Sequence, residues 1–472
     1  MVFIASCSKD SGDPSDKPEV PGEKPGTSTQ EVIAPKRDLR AIWYTTAWGL
    51  DWPNNIYDAE RQKKAYIEDL KEFKKYNINA VFVQVRSMAD AFYKSKYEPW
   101  SKFITGERGK DPGYDVMQFM IEEAHKQGLE FHAWINPYRI DSKAENAVFP
   151  KIDLDISKDM YIDYPRIRVY NPAHPGVRER IKDIVDEIIS NYEVDGIALD
   201  DYFYPSGVTI KDDEDFKKYG NASQTKEDFR FDNVNQMVKS LHQLIVNKKP
   251  EITLTISPQG NYDNTRSLYA DAEKWCKEGW LDIIMPQLYY SQVHFDRWLP
   301  TWERISHNTT LMVAYGIYRV GDSDFPASNL KYQMDKISSK SKFKGGAFYS
   351  GKNFTIEKFN PDMKKALAIV SEAYETPALI PFNGREVLPR PTTPSNLTIV
   401  KNQLKWDSNE HDIRFAVYRV NPKDYEAPKA KAEMVAITTD KECKVHLPGK
   451  YFVVAVNKRH HESKLSEGVT LK

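Results

Sequence analysis

Cysteine is nearly absent. The chain of 472 residues has three, Cys7, Cys276 and Cys443, odd in number and far apart. That pattern excludes a disulfide framework and a cysteine-held metal cluster. Charge of one sign is missing too: 67 Lys and Arg face 68 Asp and Glu, a formal net charge of -1. No basic field is available for nucleic acid, and no polybasic patch for a membrane surface. No apolar run approaches the length of a membrane span. HExxH, CxxC and the GxSxG elbow do not occur, and the ten histidines are scattered. His132 falls inside a strand-like run and His174 at a helix start, so both read as structural. No glycine-rich phosphate loop follows the first strand, which argues against a doubly wound nucleotide fold. The sequence calls for no metal and no cofactor.

What is present is size and aromatic surface. Hydrophobic residues make up 40% of the chain and charged ones 29%, enough to bury a large core over two or three domains. There are 27 Tyr, 21 Phe and 10 Trp, a weak pointer to sugar-binding clefts as well as to aromatic cores. From residue 36 to 380, strand-like runs alternate with helical ones. The strands are expected at 39–44, 79–86, 129–136, 194–199, 252–257, 282–289, 311–315 and 345–348. Helices are expected at 60–76, 114–127, 174–191 and 229–247, the first with Tyr66, Leu70 and Phe73 on one face. Eight β/α units predict a (β/α)8 TIM barrel.

The fourth of these strands organises the reading. Residues 192–205 are YEVDGIALDDYFYP, an apolar run ending in Asp200 and Asp201. Barrel chemistry sits at the C-terminal ends of the strands. Adjacent carboxylates in a partly dry cleft are pushed toward different protonation states, which suits one to acid or base work and the other to charge stabilisation. The other strand tips carry Arg86 and Asp90, Trp134 and Asn136, Gln259 and Asn261, and Gln287 and Tyr289, with Tyr204 just past the carboxylates. Aromatics, amides and an arginine converging on two acids predict a carbohydrate-active site. In this reading Asp200 is nucleophile or stabiliser and Asp201 the acid/base. Arg86 binds substrate or keeps Asp200 ionised, Trp134 and Tyr289 stack on sugar faces, and Asn136, Gln259 and Gln287 bond hydroxyls. Neighbouring strand residues point to opposite faces, so the strand must end or bend between the two acids. Otherwise Asp90 or Glu98 must supply the proton.

Flanking segments place the barrel. Ile4-Ala5-Ser6-Cys7 resembles a bacterial lipobox, in which Cys7 carries lipid, although the apolar stretch before it is shorter than a full signal peptide and has no basic start. The Ser-, Pro-, Gly- and Asp-rich segment behind it predicts a disordered tether through residue 35. Localisation is therefore expected at the cell envelope, with the membrane met only through Cys7. Residues 381–394 are Pro-rich and predict a linker. Short strands over 395–472 predict a small all-β sandwich, here a spacer.

LRAIWYTT (39–46), INAVFVQVRSMADAFY (78–93), GLEFHAWINPYR (128–139), NPAHPGVRERI (171–181), VDGIALDDYFYP (194–205), ISPQGNY (256–262) and IIMPQLYYS (283–291) resemble the glycosyl hydrolase-like 10 family of bacterial barrels. The resemblance implies a TIM-barrel glycoside hydrolase, with some relatives acting on peptidoglycan glycan strands. DGIALD (195–200) also looks like the fourth-strand motif of α-amylase-type barrels, which maps the nucleophile to Asp200. This chain has Ala198 where those barrels have Arg, and no Glu at the fifth tip. It looks slightly like the chitinase DGxDxDxE strand, with Tyr202 where the acid Glu would stand. PSNLTIVKNQLKW (394–406), FAVYRV (415–420) and GKYFVVAVN (449–457) resemble a fibronectin type III domain, with Tyr451 as its tyrosine corner. The expected protein is a monomeric, lipid-anchored glycoside hydrolase whose partner is a polysaccharide and not nucleic acid. The alternatives are a non-catalytic glycan-binding barrel and an adhesion or scaffold lipoprotein.

Overall fold

A computed structural model describes residues 31–355, 361–382, 388–411 and 413–472. Cys7 and its tether through residue 30 lie outside the described residues, as do residues 383–387 of the linker.

Eight parallel strands close into a barrel. They are β1 (Leu39–Tyr44), β2 (Ala80–Arg86), β3 (Glu130–Ile135), β4 (Gly196–Leu199), β5 (Thr253–Ile256), β6 (Ile283–Ile284), β7 (Thr310–Tyr315) and β8 (Phe343–Tyr349). Their near-continuous burial follows from having helices outside and packed side chains within. β1 closes the ring against β8, with Ala41 opposite Ala347. β6 is shorter than the expected run; beyond Pro286 the chain holds its neighbours through isolated bridges at Gln287, to Gln259 and Ala314.

The interior is filled by Trp43, Phe82, Trp134, Met285, Met312 and small residues from alternate positions. At Gly196 a Cβ would fall 2.1 Å from His132 Nδ1 and 2.4 Å from Thr253 Oγ1, so only glycine lets β4 sit between its neighbours. The helix over Ala59–Lys75 shows how the outer ring is held. Asp58 caps it by accepting from the Arg61 N–H, and Tyr66, Leu70 and Phe73 face inward. Between β3 and β4 a three-stranded antiparallel sheet, absent from the sequence reading, is formed by Arg139–Ser142, Tyr161–Asp163 and Ile167–Tyr170.

The C-terminal region forms separate antiparallel sheets. One correction concerns the tether. Glu31–Ile33 is a strand, paired in parallel with Lys429–Lys431 at the edge of the five-stranded C-terminal sheet. The first described residues thus clamp the last domain.

These sheets cover the bottom of the barrel. Glu130, the first residue of β3, accepts from His460 at 3.1 Å and Arg414 at 3.2 Å. Burial pushes the Glu130 carboxyl up, but His460, His132 and Arg414 prevail and hold it well below the usual range. Arg459 donates to the Glu251 carbonyl at 2.8 Å, and Leu379 joins the core of the C-terminal sheet. Removing residues 388–472 would take His460 and Arg414 from Glu130 and expose the apolar surface around Leu379 that these sheets cover. The truncated barrel is expected to melt well below the full chain in a thermal scan. An unchanged melting temperature would show that the contact carries no stability.

Candidate active site

The β4 strand ends at Leu199, so the alternation that would turn Asp200 and Asp201 to opposite faces stops just before them. Both line one cavity of about 240 Å³ at the C-terminal mouth, together with Trp43, Trp134, Tyr202, Ser257, Gln287, Tyr289, Tyr318 and Tyr349. Every strand but β2, or the loop just beyond it, contributes, the arrangement a barrel uses to surround a reacting bond.

Asp200 is buried, 3% exposed. Its Oδ2 accepts from the Trp134 indole N–H at 3.0 Å and from Asn136 Nδ2 at 3.3 Å. Asn136 is fixed in turn because its Oδ1 accepts from the Arg139 N–H at 3.0 Å. Burial, and after it the negative charge of Asp201, push Asp200 up to about 7, against the smaller pull of Arg139 and Trp134. Asp201 is half-buried, and burial raises it too. Gln259 and Gln287 work the other way by donating to its ionised form, Gln287 at 3.2 Å. Both carboxyls are thus pushed upward by burial and both accept from side-chain donors, with Asp200 the more buried and the more strongly raised of the two.

One side of the cavity is aromatic. Tyr289 stacks on Tyr349 at 5.7 Å and 26°, and meets Tyr318 edge-on at 5.8 Å. Trp43 meets Trp134 edge-on at 5.0 Å. A second, smaller cavity of about 130 Å³ shares Asp201 and Tyr202 with the first and adds Arg139, Tyr204 and Gln259.

Other expected residues lie elsewhere. Arg86 does not touch Asp200. It makes a buried two-pronged ion pair with Glu98, both contacts at 2.7 Å, and donates to the Asn136 carbonyl. This pairing also removes Glu98 as a proton donor. Asp90 is buried as a turn brace, accepting from the Ser87 and Met88 N–H groups. Asn261 caps a short helix, accepting from Asp263 and Asn264. Tyr204 reaches the smaller cavity only; its hydroxyl accepts from Asn233 at 3.2 Å. The charge taken to be Arg86's is supplied by Arg139, whose guanidinium lies 4.8 Å from the Tyr202 ring. Trp43 and Tyr202 were absent from the expected set. Trp43 is hidden in a strand that is apolar on both faces, whereas Tyr202 could have been found from its place beside the two acids. Among the described residues no group of three or more His, Cys, Asp or Glu is placed to hold a metal ion.

A closed barrel with paired carboxylates, amides and an aromatic wall at its C-terminal mouth defines the glycoside hydrolase-like class of carbohydrate-acting barrels. The sequence model described as glycosyl hydrolase-like 10 matches residues 38–321, and the chain belongs to that family. It is 32% identical over 483 residues to the protein named glycosyl hydrolase YngK of Bacillus subtilis (strain 168), covering 92% of this chain and 93% of the relative. Over 342 residues it is 34% identical to glycosyl hydrolase DigH of Escherichia coli (strain K12), covering 64% of this chain and 77% of that one. Among solved structures, the PgaB (BpsB) glycoside hydrolase domain from Bordetella bronchiseptica aligns with 71% of this chain and 99% of its own, at TM-score 0.47 and 12% identity.

Proposed function

We propose that this protein hydrolyses glycosidic bonds of a cell-envelope or environmental polysaccharide, with peptidoglycan glycan strands the first substrate to try. The observation that carries the reading is the Asp200–Asp201 pair lining one cavity with Trp134, Gln287 and Tyr289, where burial and the neighbouring acid push Asp200 up to about 7. Asp200 donates a proton to the leaving oxygen. Asp201, ionised, faces the developing oxocarbenium charge as nucleophile, base or stabiliser, and Gln259 and Gln287 hold it in place. Trp134 orients Asp200, and Tyr289 offers a face to the sugar ring. The relatives' name, glycosyl hydrolase, supports the same reaction type.

Around this core, Cys7 is the proposed lipid attachment that holds the enzyme at the envelope. The C-terminal sheets are proposed to form a fibronectin type III-like spacer. The Tyr451 hydroxyl donates to the Leu447 carbonyl at 2.5 Å, as a tyrosine corner does.

The test is release of reducing ends from purified peptidoglycan, intact and stripped of stem peptides. Release from either supports hydrolysis. Retention of glycan in a pull-down without reducing ends would favour a barrel that only binds, the reading left open by the lack of a Glu at the fifth strand tip. The pH profile follows from the proton on Asp200. Because its carboxyl is raised to about 7, the acid form is present below that pH and lost above it. Accordingly kcat/KM is expected to fall about tenfold per unit on the alkaline side. A profile flat to about pH 9 would remove Asp200 from the acid role.

A further inference from the structure

From Thr45 to Pro53 the loop after β1 is buried except at Trp48 and, in part, Leu50. Thr46 bonds Gln84 through both its N–H and its hydroxyl, at 3.2 and 2.7 Å, and the Ala47 N–H reaches Gln84 Oε1 at 2.9 Å. Asp51 accepts from the Thr45 N–H at 2.6 Å, and from Ser350 and Lys352 at 2.8 Å each. Within this pinned stretch, Thr45 to Pro53, one large side chain stands outward. Trp48 is 58% exposed and takes left-handed backbone angles, φ 56° and ψ 18°, which a non-glycine residue adopts only when its surroundings impose them. The hydrogen bonds of the flanking residues hold this conformation, in which the indole is presented outward.

What lies against that indole connects it to the cavity. The Arg139 guanidinium is 5.3 Å from the Trp48 ring and 4.8 Å from the Tyr202 ring. Arg139 is itself buried and anchored by donating from Nε to the Ser87 carbonyl at 3.0 Å. Tyr202 is 46% exposed and lines both cavities beside Asp201. An indole, a guanidinium and a phenol thus form one stacked rim leading from the carboxylates to the surface. Across the cavity Tyr318, 47% exposed, stands edge-on to Tyr289 and Tyr349. A cavity of about 240 Å³ holds roughly one sugar residue, so a flat apolar face outside it is placed for a neighbouring residue of the same chain.

We infer that Trp48, supported by Arg139 and Tyr202, is an outer platform that binds a further pyranose ring of an extended glycan, making the site a cleft that favours chains over single units. A sugar ring presents C–H groups on its faces and hydroxyls at its edge, which matches an exposed indole seated on a buried cation. The inference rests on the glycosidase reading of the cavity.

The experiment uses the full chain and glycan strands freed of stem peptides, fractionated by length. The ratio of kcat/KM for long strands to that for the shortest strand cleaved is compared among wild type, Trp48→Ala and Trp48→Phe. The ratio is expected to fall about tenfold in Trp48→Ala, the effect of burying one indole face, and to be largely retained in Trp48→Phe. A ratio unchanged in Trp48→Ala overturns the platform. So does an equal fall in both variants, which would make the residue a structural prop. In parallel, calorimetry with the same strands compares Asp200→Asn with Asp200→Asn/Trp48→Ala. If wild type binds strands without cleaving them, the hydrolysis reading fails while the calorimetry still decides the platform. If no strand binds at any length, the platform and the choice of peptidoglycan strands as substrate both fail.

Discussion

Asp200→Asn is expected to lower kcat by about 10²–10⁴-fold, the range set by loss of a general acid, while glycan binding persists. The same substitution is expected to stabilise the fold. An aspartate raised to about 7 in the folded protein is near 3.8 when exposed, so the native state holds a proton that the unfolded chain has released. Stability from this group is therefore greatest below about pH 4, declines through the window from about 4 to 7, and is fully lost above it. The substituted amide has no charge to bury, and its oxygen can still accept from Trp134. Above about pH 7 the variant should gain about 2–4 kcal/mol, with the gain vanishing toward about pH 4. Denaturant melts at about pH 5 and about pH 8 read this directly. A variant that is inactive and also less stable on the alkaline side would mean that Asp200 is a structural carboxylate, ionised in the native state.

Arg86→Met is expected to act in the opposite sense. Arg86 and Glu98 are both essentially unexposed, and Glu98 also accepts from the Tyr170 hydroxyl at 3.1 Å. Removing the cation leaves a buried carboxylate with one neutral donor, which costs about 3–5 kcal/mol. Replacing Glu98 with Leu in the same chain should recover a large part of the loss, because two apolar side chains leave no charge unpaired. Had Arg86 been a substrate ligand, the single variant would raise KM and leave the melting curve where it was. The two outcomes are separated by one denaturation series and one kinetic series.

Arg86 and Asp200 mark the boundary of what the sequence could tell. The eight strands were legible because parallel barrel strands are buried on both faces and so appear as unbroken apolar runs. Their C-terminal tips were legible because those runs end in polar or aromatic residues. Which tip residues face the cavity was not legible, since a polar side chain beside a barrel mouth has two uses. Asn136 and Gln287 reach the carboxylates, whereas Asp90 and Asn261 close turns and helix ends, and nothing in their spacing separates the groups. The roles proposed for Asp200 and Asp201 depend on which of them Trp134 covers and which of them Gln259 and Gln287 reach, a matter of packing across four strands. Glu31–Ile33 was read as tether because three residues carry no periodic signal, and its partner strand lies at Lys429–Lys431.

The central claim is that Asp200 and Asp201 together cleave a glycosidic bond. It is tested most directly by reducing-end release from isolated glycan strands with wild type, Asp200→Asn and Asp201→Asn side by side, each checked for retained glycan binding. The account predicts release by wild type and a fall of at least about 10²-fold in each variant, with binding intact. Release by either variant at the wild-type rate would contradict it, as would a wild type that binds strands and never cuts them.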